Sequence, residues 1–237
     1  MYQEIIINAD DFGYSSSVNQ AIALCFEKGF VNRTTIMANM PSFDDAVKLA
    51  KKNGFKQYVG LHLVLDEFSP LTNEMRRNPN FCNNGLFVKG WASNIKNKVF
   101  LSHYDINCIK AEVEAQMQAY SDAGFTLMHI DSHHLVHTSS PLITTIISDL
   151  ALKHGFKSMR NVAIYQHDNF VNRLAKKYVQ FIIKKNYKTT KYFTTYNDFN
   201  PILKNVEYMS HPDMFGDKLV NVLNRKTGEI LEFKKMI

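Results

Sequence analysis

The stretch IIINADDFG, residues 5–13, decides the fold of this chain. Three consecutive isoleucines within Glu4 to Asn8 predict a short buried strand, and Asp10 and Asp11 follow at its carboxyl end. A helix is expected next, because the serines at 15–17 can cap its start and Gly29 ends its apolar pattern. The chain therefore opens with a strand followed by a helix.

The same alternation of strand and helix continues along the chain. Further strands are expected near 35–39, 58–65, 126–130, 157–160 and 206–210. Helices are expected at about 42–54, 106–123 and 140–154, with a basic helix before the last strand. This pattern indicates an α/β fold whose mainly parallel sheet, surrounded by helices, is either doubly wound or curled into a barrel. We expect one domain over residues 1–237, with a long excursion at about 67–104 that is rich in Asn and Pro.

Composition limits the class of protein. The first residues lack the basic start of a signal peptide, and no apolar run approaches the ~18 residues of a membrane span. Cys25, Cys82 and Cys108 are odd in number and too widely spaced for a disulfide framework or a thiolate zinc site. We therefore expect a cytoplasmic protein with no membrane partner.

The net charge of +6 arises from one segment. Seven basic residues and no acidic residue lie between Asn169 and Asn197, and apolar residues alternate with them at helical spacing. We interpret the segment as an amphipathic helix with a solvated lysine face. A surface for a phosphorylated sugar or for nucleic acid is the alternative. Because no nucleic-acid-binding motif accompanies the charge, we expect no nucleic acid partner.

Polar side chains gather where the expected strands end. The carboxyl ends of parallel strands meet at one edge of the sheet, which is where α/β proteins bind ligands. The residues at these ends are Asp10, Asp11, His62, Asp131, His133, His134, Arg160 and His211. Their shared position at the ends of several strands favours a functional site.

Two imidazoles and one carboxylate form a ligand set that suits zinc and also accepts nickel, cobalt, manganese or iron. The segment 129–137 holds four of the nine histidines, a density that packing does not explain. Taken alone, the adjacent pair Asp10 and Asp11 is more typical of a helix-capping turn than of a site, and His62 is equally typical of a core histidine with one backbone partner. A non-haem iron oxygenase uses the same ligands, but its usual jelly roll requires many strands and few helices.

Several stretches together resemble the YdjC-like family of carbohydrate deacetylases, which includes chitooligosaccharide deacetylases. They are IIINADDFG with NQAI, VGLHL, EVEAQ, HIDSHH, Arg160 and EYMSHP, in this order from Ile5 to about Pro212. The resemblance implies that the scaffold is a distorted β/α barrel.

The resemblance also implies roles for the residues at the strand ends. Asp11, His62 and His133 would hold one divalent metal ion, magnesium or zinc. Asp10 would act as the base, and His211, a natural proton donor at neutral pH, would act as the acid.

The implied substrate is an acetylated mono- or oligosaccharide that is free, phosphorylated or part of an oligomer. Arg160 and His134 would bind it, and Arg160 would also help to orient the site. Many relatives have His in place of Leu135 and Gly in place of Asp213, so the rim around the sugar is expected to differ here. Metal-assisted cleavage of a phosphorylated disaccharide and non-catalytic sugar binding remain alternatives. The sequence leaves homodimerisation open.

Overall fold

The computed structural model describes residues 5–91, 100–165, 168–224 and 228–233. Residues 92–99 of the predicted excursion lie outside the described residues. In chain order the strands are β1 (Ile5–Phe12), β2 (Arg33–Ile36), β3 (Val59–Leu63), β4 (Cys82–Asn83), β5 (Leu86–Phe87), β6 (His129–Ser132), β7 (Ser158–Met159), β8 (Tyr192–Thr195), β9 (Val206–Ser210), β10 (Pro212–Phe215), β11 (Lys218–Asn224) and β12 (Glu229–Glu232).

Seven of these strands form one parallel sheet in the order β7-β6-β3-β2-β1-β9-β8. The sheet curves into a half-barrel with helices around it, which confirms the predicted α/β fold and mainly parallel sheet. At one edge, β7 hydrogen-bonds with Lys188, which lies shortly before β8 in the chain. Two antiparallel sheets, β10-β11-β12 and β4-β5, lie apart from the half-barrel sheet.

Several helices begin at a capping side chain, although Ser42 makes no capping hydrogen bond and the helix expected from about 106 begins at His103. They are α1 (Ser16–Glu27), α2 (Phe43–Lys52), α3 (Asn73–Arg76), α4 (His103–Asp122), α5 (Pro141–Lys153) and α6 (Phe170–Asn186). Ser15 accepts a hydrogen bond from the Val18 amide, and Ser102 forms a capping box with Asp105. Among the described residues, no helix is long and apolar enough to cross a membrane.

The predicted excursion contains ordered structure in its described part. It holds α3 and the β4-β5 hairpin, and Trp91 is buried in the main core. Glu112 of α4 fastens its start by accepting hydrogen bonds from the amides of Leu71 and Thr72 at 2.9 and 2.8 Å. The path of the excursion near Leu71 therefore depends on a side chain about 40 residues away in the sequence.

Helix α6 differs from the sequence interpretation. Val179 and Ile183 pack in the core, whereas Leu174 and Phe181 are exposed along with other apolar residues at helical spacing. The helix rests on the core along a narrow stripe, so its outer face carries apolar side chains as well as lysines.

A buried ion network ties the strands together beneath the carboxyl edge of the sheet. Arg160, which follows β7 and is wholly buried, forms a bidentate ion pair with Asp10 of β1 at 2.7 Å. Its guanidinium also contacts Asp131 of β6 at 2.6 Å and Glu207 of β9 at 2.5 Å. Arg33 of β2 contacts the other oxygen of Glu207 at 2.5 Å. The network therefore links β1, β2, β6 and β9 with the segment that follows β7.

The prediction that Arg160 binds substrate conflicts with this placement. All its side chain is buried, and three carboxylates surround its guanidinium, so a sugar cannot reach it. Arg160 instead orients Asp10 and Asp131.

Replacing Glu207 with Gln should destabilise the protein by about 3 to 5 kcal/mol near neutral pH, because two buried guanidiniums would lose a counter-charge. Burial raises the pKa of Glu207, but Arg33 and Arg160 outweigh burial and hold that pKa below its ordinary value of 4.5. The stabilisation is therefore present above pH 4.5 and is lost as the pH falls below that value. Urea unfolding of the wild type and of Glu207→Gln, from neutral pH to below pH 4.5, measures the difference in their free energies of unfolding.

The matched control is Glu114→Gln, which breaks the exposed pair of Glu114 with Lys153. This variant should lose less than about 1 kcal/mol. Equal losses for the two variants, or a Glu207 effect that does not change with pH, would show that the network does not stabilise the fold as described.

Candidate functional site

The structure brings Asp11, His62 and His133 together at the carboxyl edge of the sheet. Oδ1 of Asp11 lies 3.3 Å from Nε2 of His62 and 3.1 Å from Nδ1 of His133. All three residues are buried, and one donor atom from each lies within 4.8 Å of the others. The three side chains can therefore face one small ion.

A backbone irregularity separates the two neighbouring aspartates. The pairing of β1 with β2 shifts register between Ala9 and Phe12, and Asp11 has a left-handed φ of 68°. Asp10 consequently contacts Arg160 and Asn8, whereas Asp11 contacts the two histidines. The two neighbouring carboxylates therefore face different partners.

Each candidate imidazole ligand has a carboxylate on its far side. Nδ1 of His62 lies 2.7 Å from Asp131, and Nε2 of His133 lies 2.9 Å from Glu67. Such outer partners fix the orientation of a ligating ring and select its tautomer. Glu67 itself is held by an ion pair with Lys89.

The charges around the site are unbalanced in a way that suits a cation. The two guanidiniums of Arg33 and Arg160 face four buried carboxylates, those of Asp10, Asp11, Asp131 and Glu207. Negative charge is therefore left over beside the imidazoles, where either protons or a divalent ion can balance it.

The pKa values of the histidines reflect this surplus. Burial lowers the pKa of His62, but the charge of Asp131 and a hydrogen bond to Asp11 outweigh burial and raise it to about 10. Burial likewise opposes the charge on His133, while Asp11 and Glu67 raise its pKa to about 9. Burial raises the pKa of Asp11, yet charged His133 and hydrogen bonds from both histidines hold it well below its ordinary value.

His211 and His134 lie at the edge of this group. His211 follows β9, is partly buried, and is close enough to Asp11 for its charge to lower the pKa of that carboxyl. Its backbone is anchored by Asn221 and Val222 of β11. His134 has a side chain that is 55% exposed, and its Nδ1 lies 2.7 Å from Asp66. Both residues are therefore near the site and at least partly exposed to solvent.

Two acids at the site, Asp66 and Glu67, were not predicted from the sequence. Both come directly after the apolar run that contains His62, so the same strand-end rule would have selected them. Asp66, His133 and His134 even form a second group that can hold an ion, and it shares His133 with the first.

Comparisons with known proteins agree with the fold and the motifs. A carbohydrate deacetylase from Thermoanaerobacter pseudethanolicus is 30% identical over 234 residues, covering 92% of this chain and 84% of the relative. One from Halalkalibacterium halodurans is 30% identical over 245 residues, covering 98% and 94%. A crystal structure of a candidate cellobiose-phosphate cleavage protein from Enterococcus faecalis superposes with a TM-score of 0.72 at 24% identity, covering 91% of this chain and 83% of that one. The profile of the family described as YdjC-like protein matches residues 4–231, and the chain belongs to that family.

Proposed function

We propose that this protein is a metal-dependent hydrolase that removes the acetyl group from an N-acetylated sugar. The observation that carries the proposal is the convergence of Asp11, His62 and His133 in a chain whose relatives are named carbohydrate deacetylases. Three protein ligands also suit catalysis, since structural zinc sites usually have four.

Amide hydrolysis makes three demands on the site. A water must lose a proton as it attacks, the developing oxyanion must be stabilised, and the leaving amine must gain a proton. A divalent ion at Asp11, His62 and His133 would supply Lewis-acid activation of the water and of the acetyl carbonyl. The other residues supply orientation and proton transfer.

Asp10 is the proposed base. Arg160 donates to both carboxylate oxygens of Asp10 at 2.7 Å, and Asn8 donates a further hydrogen bond to Asp10 at 2.7 Å. A carboxylate fixed in this way keeps one orientation beside the ligands, which is the requirement for accepting a proton in a defined geometry.

His211 is the proposed acid, because its charge acts on Asp11 at short range and the residue is partly exposed, so it could reach a leaving amine. His134 is proposed to hydrogen-bond a sugar hydroxyl, with Asp66 fixing its ring. Cleavage of a phosphorylated disaccharide at its glycosidic bond is the competing reaction. Parallel assays for released acetate and released monosaccharide separate the two, and acetate is the expected product.

Asp11→Asn should weaken metal binding, whereas Asp10→Asn should keep the metal and lose turnover by about 10² to 10⁴. The difference follows from their contacts, since Asp11 faces the histidines and Asp10 faces Arg160. His211→Ala should resemble Asp10→Asn but be partly spared with an ester whose leaving group needs no proton. Metal content and acetate release should be measured for all three variants.

Glu114→Gln serves as the control, because its exposed pair lies outside the site. If purified Asp10→Asn contained no metal, while Asp11→Asn contained metal and released acetate slowly, the assignment of base and ligand would be reversed. Full activity after removal of metal by a chelator would contradict the mechanism.

Metal affinity should rise with pH. In the metal-free protein the pKa of His62 is raised to about 10 and that of His133 to about 9, so both rings are in the charged, doubly protonated form at neutral pH. A cation must displace these protons, and each one displaced raises the apparent affinity by about tenfold per pH unit below these pKa values. Calorimetric titration with Mn²⁺ in buffers of different ionisation enthalpy measures both the affinity and the protons released. An affinity that is constant from about pH 6 to 8, with no proton release, would contradict this assignment.

A further inference from the structure

Phe68 has an unusual backbone for a bulky residue. Its φ is +63°, in the left-handed region that favours glycine, and 41% of its surface is exposed. Because the side chain is only partly buried, its burial offsets this strain less than burial in the core would. Strained, exposed residues of this kind are concentrated at functional sites, where the surrounding structure imposes them.

The neighbouring residues clamp Phe68 in this conformation. The side-chain amide of Asn39 donates to the carbonyls of Glu67 and Ser69, at 3.1 and 3.2 Å, on either side of it. The carbonyl of Phe68 itself accepts from the amide of Phe87 in β5 at 2.7 Å. The fold therefore holds the backbone so that the Phe68 ring remains at the surface.

The ring lies next to the candidate catalytic site. Glu67, the preceding residue, contacts His133 at 2.9 Å. Tyr14 is tied to the site from the other side, because its amide donates to the carbonyl of Asp11 at 3.0 Å and its hydroxyl lies 3.4 Å from Glu67. The rings of Tyr14 and Phe68 meet edge to face, with centroids 6.4 Å apart and planes at 81°.

We propose that Tyr14 and Phe68, here called the aromatic rim, bind the pyranose ring of the sugar whose acetyl group is removed. A pyranose has an apolar face of C–H groups and an edge of hydroxyls. The electron-rich face of an aromatic ring attracts such C–H groups, while polar groups nearby bind the hydroxyls. His134 and Lys89, with side chains 55% and 72% exposed, provide polar groups on the same side of the site.

This inference rests on the proposed function and assigns two residues to binding the ring of the sugar. The rim should discriminate a ring-bearing substrate from an acyclic acetyl compound that reaches the same ligands. Phe68 and Tyr14 are binding residues in this account and take no part in proton transfer.

The test is Phe68→Gly, because glycine adopts a φ of +63° without strain and removes the ring. The expected result is an unchanged or raised Tm together with a KM for N,N′-diacetylchitobiose that is roughly fivefold to tenfold higher. The increase in KM should be much smaller for the acyclic thioester S-ethyl thioacetate. A residue with a purely structural role would instead show a lowered Tm and similar losses on both substrates.

Asn84→Gly is the matched control. Asn84 also has a left-handed φ, 50°, and lies in the turn of the β4-β5 hairpin. The control should leave the KM for the disaccharide unchanged.

Binding without turnover is measured by saturation-transfer NMR on the same disaccharide. Transfer to its ring C–H protons is expected in the wild type and should be strongly reduced in Phe68→Gly. Transfer in the wild type without release of acetate would overturn the proposed function and leave the rim intact. Acetate release with unchanged KM and unchanged transfer in Phe68→Gly would overturn the rim and leave the function intact.

Discussion

The rest of the structure depends on the burial of Arg160 among three carboxylates. A guanidinium that is wholly removed from water must find counter-charges, and those of Asp10, Asp131 and Glu207 come from three different strands. This requirement fixes the relative positions of β1, β6 and β9 at the edge of the sheet where the candidate site lies. The ion pairs of Arg160 therefore both stabilise the fold and position the side chains of the candidate site.

The same interaction links the core to the candidate ligands. Asp131 contacts Arg160 through one oxygen and His62 through the other, so the position of the guanidinium determines the orientation of the imidazole. Asp10 is occupied by Arg160, which leaves Asp11 to face the histidines after the irregularity in β1. The result is one restrained carboxylate beside one carboxylate that remains available for an ion.

Much of this arrangement could be predicted from the sequence, for a physical reason. Parallel strands bring their carboxyl ends to one edge, so Asp11, His62 and His133 could be grouped with other strand-end residues without coordinates. The family resemblance then singled out these three as metal ligands. The burial of Arg160 could not be predicted, because an arginine at a strand end looks the same whether it faces solvent or three carboxylates. Glu67 could have been selected by the same rule, but it was assigned to the long excursion at about 67–104. The left-handed backbone of Asp11 and Phe68 arises from tertiary contacts that local propensity does not encode.

The most direct test of the account is the location of a bound ion. Crystals soaked with Mn²⁺ should show an anomalous scattering peak at about 2.0 to 2.3 Å from Asp11, His62 and His133, the usual range for such ligands. Asp10 should remain paired with Arg160. A peak among Asp66, His133 and His134 alone, or one that displaces Arg160 from Asp10, would contradict the claim that the surplus negative charge beside Asp11 is the metal site.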